Sequence, residues 1–237
     1  MRRARKKHPV LVLCSALCAA AGLSLATGCS SFTTYKHATP LGAGKSKVSV
    51  APQMSTVAGE HGATLPYPEL AFAMRRGITD RLDVGGSVAM LPLGDAFSSI
   101  AFEGSVQHQV YRSPSGRYEL ALGAGAGYRA TATTGAVFET VHASVPLILG
   151  VNLGRHQLVL SPYGSWQRWY SEGTSPVDVP ALGTSVGFYW QITRRVALHP
   201  ELAMAWTPVV INNRGDTRLG HLGIAVVFGR RHQNDRR

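Results

Sequence analysis

From Lys45 to Phe228 the chain alternates apolar with small or polar residues, and nowhere sustains apolar residues at helical spacing. Alternation with period two is the pattern of a β-strand that buries or exposes one face. In 196–206 one face reads Val196, Leu198, Pro200, Leu202, Met204, Trp206; the other reads Ala197, His199, Glu201, Ala203, Ala205. The same reading holds for 118–128, 141–151 and 182–192. It predicts ten strands, near 46–57, 68–76, 81–90, 98–111, 117–129, 137–151, 156–169, 181–192, 195–207 and 217–228, with eight to twelve compatible. Most exceed the five or six residues usual in globular strands and approach the 9–11 that cross a bilayer.

The connections sort into two sets. Gly77–Asp80, Arg112–Gly116, Asn152–Arg155 and Thr193–Arg194 are tight, whereas Ala58–Tyr67, Leu91–Phe97, Ala130–Ala136, Tyr170–Pro180 and Pro208–Asp216 are mostly longer. Charge follows the same division. The tight turns and their flanks hold Arg81, Arg112, Arg117, Arg155, Arg194 and Arg195 against Asp80. The long loops hold Glu60, Asp95, Glu172, Asp178 and Asp216 against Arg214. Two distinct rims and an even strand count fit a transmembrane barrel with both termini on the short-turn side.

A water-soluble barrel would carry a dense Lys/Glu coat on its polar face. Here Gly, Ala and Ser dominate that face, and no lysine follows Lys47. Arg76, Arg168 and Arg218 interrupt the apolar faces only toward strand ends, where a membrane tolerates arginine. Tyr111, Tyr118, Tyr128, Trp166, Trp169, Tyr170, Trp190 and Trp206 also gather near strand ends, as interfacial aromatic girdles do. The expected fold class is therefore all-β, a transmembrane antiparallel up-and-down β-barrel. On these features the mature chain resembles Gram-negative outer-membrane β-barrel proteins. His221, Gly223, Val226 and Phe228 are similar to the C-terminal assembly signal of that group, although Gly229–Arg237 continues past the aromatic. The resemblance implies outer-membrane lipids and the barrel assembly machinery as partners.

The N-terminus reads as an export leader. Arg2, Arg3, Arg5, Lys6 and Lys7 precede a charge-free apolar run, Val10–Ala26. Leu25-Ala26-Thr27-Gly28-Cys29 then resembles a bacterial lipobox, with Ala26 where that motif usually has leucine. This implies a signal peptide at 1–28, lipidation of Cys29 and a flexible Ser/Thr/Gly-rich tether at 29–44, then a barrel at 45–228 and a basic tail at 229–237. The formal charge of +11 falls to +6 without the leader. The terminal stretch Arg230, Arg231, Asp235, Arg236 and Arg237 carries a further net +3, leaving +3 for 29–228. Nucleic-acid binding is not expected, because basic residues do not cluster with stacking aromatics. The expected ligand is unknown, and the expected cofactor and metal content is none.

Parity along each strand places Glu69, Asp83, Glu103, Glu119 and Glu201 inside, with Arg75, His142, His199 and His221. With histidine neutral, that lumen is acidic by four charges. Arg75 and Asp83 flank one tight turn and are expected to pair. Gly123, Gly125 and Gly127 leave either a gap or room for larger neighbours such as Tyr163 and Tyr189. His142-Ala143-Ser144 has the His-x-Ser spacing of outer-membrane phospholipases, but parity points the pair inward. Three readings remain: a structural or surface-interaction barrel without catalysis, a narrow cation-preferring pore, and a lipid-modifying hydrolase using His142 and Ser144.

Overall fold

The computed structural model describes residues 35–58, 67–92, 97–133, 136–207 and 217–229. Among these, ten strands form one closed antiparallel barrel and no helix occurs. They are β1 Ser46–Ala58, β2 Tyr67–Gly77, β3 Leu82–Pro92, β4 Phe97–Arg112, β5 Tyr118–Thr133, β6 Ala136–Leu153, β7 His156–Ser171, β8 Val177–Gln191, β9 Val196–Thr207 and β10 Thr217–Phe228. Each strand pairs with its chain neighbours, and β1 closes on β10 from Val48↔Phe228 to Ala58↔Arg218. Closure leaves no strand edge unpaired.

The two faces separate by parity, as the alternation predicts. Large apolar side chains stand on the outer wall, with Leu182 65% and Leu222 58% exposed; Val145, Leu147, Leu160, Val186 and Leu202 also face out. The inner wall carries Gln107, Glu119, His142, Gln157, Ser161 and Glu201, all buried. A polar interior under an apolar exterior is the arrangement that a bilayer, not water, stabilises. It also sets register, since slipping a strand by one residue would turn its whole apolar set into the lumen.

At the short-turn rim, two turns share one local device. Thr79 Oγ1 accepts from the amides of Arg81 (3.2 Å) and Leu82 (3.0 Å), and Thr193 Oγ1 does the same for Arg195 (3.2 Å) and Val196 (3.0 Å). The other two tight connections place Gly116 (φ 67°) and Gly154 (φ 64°) in the left-handed region that other residues resist. The arginines of this rim (Arg81, Arg112, Arg117, Arg155, Arg194, Arg195) are exposed.

Two connections are shorter than expected, and one of them is Tyr170–Pro180, which shrinks to 172–176 because β8 already begins at Val177. Ala130–Ala136 is not a long loop: β5 runs to Thr133 and β6 resumes at Ala136. The alternation simply continues through Ala130-Thr131-Ala132, with Thr131 turned inward and buried. β-branched threonine suits that pleated position.

Prolines lie within β1, β6, β7, β8 and β9, where each lacks a ladder donor. Pairing of β1 with β10 lapses between Val50↔Val226 and Gln53↔Gly223, around Pro52. Pairing of β8 with β9 lapses between Gly187↔Glu201 and Trp190↔Leu198, around Pro200.

Candidate functional site

The lumen is where the polar chemistry gathers, and it is occupied. Residues 35–42, expected as part of a free tether, run inside the barrel: Lys36, His37, Ala38, Thr39 and Leu41 are 0–6% exposed. The remainder of the expected tether, 29–34, and Cys29 lie outside the described residues. The chain doubles back at the short-turn rim. Gly42 (φ 84°) and Gly44 (φ 73°) make the reversal, with Gly44 N–H donating to the Gly77 carbonyl (2.9 Å) and Gly77 N–H to that of Lys45 (2.9 Å). A Cβ on Gly77 would stand 2.7 Å from the Gly42 carbonyl carbon, so the site needs glycine there.

From that rim the segment passes along the inner wall. Leu41 N–H donates to both carboxylate oxygens of Asp83 (3.1 and 3.2 Å), and Ala38 N–H donates to Gln157 Oε1 (3.0 Å). Gln107 Nε2 donates to the His37 carbonyl (2.8 Å), and Tyr35 N–H donates to Glu201 Oε2 (2.8 Å). The Thr39 hydroxyl donates to Glu119. Lys36 Nζ lies 3.8 Å from Glu103. Ala38 packs among Ala121, Ile148 and Val159. Main-chain groups taken from water must find partners, and four different strands supply them here.

The charge balance corrects the expectation of a strongly acidic interior. Five carboxylates do point inward, but Lys36, Lys47, Arg75 and Arg129 accompany them, so the balance among the described residues is −1 rather than −4. Arg75 Nη2 is 3.2 Å from Asp83 and 2.8 Å from Gln107. Arg129 Nη1 is 2.5 Å from Glu69 Oε1 and 3.1 Å from Ser99. Arg112 lies at the rim, 3.3 Å from Glu119. Lys47 Nζ donates to the Tyr189 hydroxyl (2.9 Å) and meets His37 Nε2 at 2.7 Å.

Tyr35 stands between two of the histidines, its ring 5.9 Å from that of His199 and 6.5 Å from that of His221. His199 is fully buried between the rings of Tyr35 and Tyr189, each 5.9 Å away, with Glu201 4.0 Å from its Nε2. His221 Nδ1 is 3.0 Å from the Ser55 hydroxyl. His142 has the partner that the sequence did not reveal, Glu103, 3.8 Å from its Nε2. Both His142 and Ser144 are buried in the lumen, 3% and 8% exposed. A carbonyl in the bilayer therefore meets the outer residues Val141, Ala143 and Val145, not the Ser144 hydroxyl. Among the described residues no group of three or more His, Cys, Asp and Glu could hold a metal ion.

The glycine-rich face is not empty, and Tyr163 and Tyr189 are not what fill it. A Cβ on Gly123 would stand 2.9 Å from Pro146, and one on Gly125 would stand 2.9 Å from Glu103 and 3.2 Å from Ser144. Gly127 lies against His142. Glycine on β5 thus makes room for β6 side chains. Tyr163 instead lies over Gly183, and Tyr189 over Lys47. A cavity of about 60 Å³ lies between Lys36 and the wall at Gln53, Arg75, Ser87, Glu103 and Ser105. It is polar-lined and large enough to hold more than one water.

No family model matches the chain, and no curated protein matches it. Solved structures do. Neisserial surface protein A is 13% identical, covering 77% of this chain and 96% of its own, with a TM-score of 0.39. The outer membrane protease OmpT of Escherichia coli is 9% identical over 78% and 95%, with a TM-score of 0.40. An outer membrane channel of Pseudomonas putida F1 is 11% identical, covers 81% of this chain and 97% of its own, and reaches a TM-score of 0.52. The chain has the outer-membrane β-barrel fold.

Within that barrel, Arg129, Lys47, Gln107 and Gln157 belong to the site and were missing from the sequence-based set. Each shares parity with inward neighbours on its strand, so that signal was present. Lys36 and Thr39 carried none, because 35–44 has no period to read.

Proposed function

We propose that the chain is an outer-membrane β-barrel lipoprotein with a structural or surface-interaction role and no catalysis. The observation that carries this reading is the lumen filled by the chain's own Tyr35–Leu41, its charges nearly balanced. An interior of this kind holds strand register and offers no route for solutes. It disfavours a standing pore and leaves His142 and Ser144 without lipid access.

The short-turn rim faces the periplasm in this reading, in keeping with short periplasmic turns in such barrels. His221 and Gly223 point inward while Val226 and Phe228 point outward at the last strand, available as the segment offered to the assembly machinery. Cys29 precedes Tyr35 by six residues, a reach of about 20 Å at full extension. An apolar band is about 25 Å tall, so this length suffices for an acyl anchor to enter a leaflet at a rim.

The intact, heat-modifiable protein in a planar bilayer is expected to give no cation-selective current steps. Regular steps from that preparation would replace this reading with the pore. Metabolic labelling with a fatty acid should be lost on Cys29→Ala; labelling that persists removes the anchor from the proposal.

A further inference from the structure

We propose that Tyr35–Leu41 is a tethered peptide ligand: the inner wall carries a polypeptide-binding site, and vacating it opens a cation-preferring passage. The contacts point to recognition rather than to simple collapse. Asp83, Gln107, Gln157 and Glu201 come from β3, β4, β7 and β9, and each engages a main-chain N–H or C=O of the segment. Reading an extended chain through its main chain gives affinity for polypeptide as a class, while side-chain pockets add selectivity.

Three such pockets are visible. Glu103 stands opposite Lys36, and Glu119 accepts from the Thr39 hydroxyl. Ala38 is enclosed, and a Cβ on Gly150 would already come within 2.7 Å of its own Cβ. The preferred occupant is therefore a segment that bends at its small residue and reads basic, any residue, small, threonine.

The same contacts make the occupant separable. It is joined to β1 only through the exposed reversal at Ala43–Lys45, and the cavity of about 60 Å³ lies on its β1–β4 side. Removing the segment takes Lys36 out of the lumen, leaving five carboxylates against Lys47, Arg75 and Arg129, a balance of −2. A barrel of eight strands is just filled by its own side chains; one of ten, emptied of a seven-residue segment, has space for water and favours cations.

The test uses the full chain carrying Ala38→Pro and Leu41→Pro. Proline removes both N–H donors and leaves every wall residue in place. In planar bilayers the variant is expected to show at least tenfold more open-channel current than the intact chain, with cations preferred. A synthetic peptide of the sequence YKHATPLGAG should suppress that current, and the same peptide with tryptophan at the alanine that matches Ala38 should not. A variant that migrates as a folded, heat-modifiable barrel yet conducts no more than the intact chain overturns the proposal. Current that the peptide leaves unchanged also overturns it.

If the double variant does not fold, a protease recognition sequence inserted between Ala43 and Gly44 is cut after folding, and the same two readings apply. Conductance by the intact chain would instead sink the closed-barrel function above, so the two failures are distinguishable.

Discussion

Arg129→Met is expected to destabilise the barrel by about 3–5 kcal/mol, the usual consequence of leaving one charge of a buried pair uncompensated. Arg129 and Glu69 face each other across the lumen at 2.5 Å, their side chains 3% and 1% exposed. The guanidinium also donates to Ser99, and Glu69 accepts from Gln53 Nε2 at 2.9 Å. Removing the arginine leaves Glu69 with an amide partner and no countercharge. Adding Glu69→Gln should return most of the loss, because a buried pair replaced as a unit is often close to neutral. Urea unfolding from lipid vesicles, run on both single variants and the double, gives the coupling directly. A single-variant cost below about 1 kcal/mol would mean that water reaches Glu69. That result would count against a closed lumen at this level as well as against the pair.

The same residue shows where sequence reading stopped. The expected strand ended at 129, which made Arg129 a margin residue; β5 in fact continues to Thr133 and carries Arg129 well inside. Lys47, one residue into β1, was likewise left out of the inward set, yet it is buried against His37 and Tyr189. Parity points both residues inward; what alternation does not show is how far inside a charge at the end of an expected strand lies. Where strands are long and regular, as from Leu182 to Gln191, every residue falls on its expected face, since each slip would expose polar groups to lipid.

The inner segment was illegible for a different reason. Tyr35 to Leu41 is bound largely through its own N–H and C=O groups, which every residue but proline possesses. Its side chains therefore need no periodicity. A Ser/Thr/Gly-rich stretch that looks like a solvated linker can instead be a bound segment when a polar lumen supplies the missing partners. The count of five inward carboxylates stood, but their countercharges came partly from this segment.

The apolar exterior has a test of equal weight. Val145→Arg is expected to cost about 2–4 kcal/mol, the range for an arginine on the lipid face at the bilayer midplane. Val145 lies at the centre of β6, is 55% exposed on the outer wall, and pairs with Gly164 of β7. No neighbour on the outer face of β6 nearby is polar: Val141, Ala143, Leu147 and Leu149 follow the same parity. An arginine there must stretch toward a headgroup or draw water into hydrocarbon. Val137→Arg makes the control. It stands at the long-loop end of β6, on the same outer face as Val145, is 52% exposed and pairs with Ala132 of β5. Near that rim the cost of arginine falls to about 0–1 kcal/mol. Unfolding in vesicles should therefore separate two substitutions of the same residue type, at positions similarly open on the outer wall, by at least about 1 kcal/mol. If water bathed the exterior, depth would have no meaning and the two would cost the same. Equal costs would contradict a membrane-spanning barrel, whereas a depth-dependent difference is produced by lipid alone.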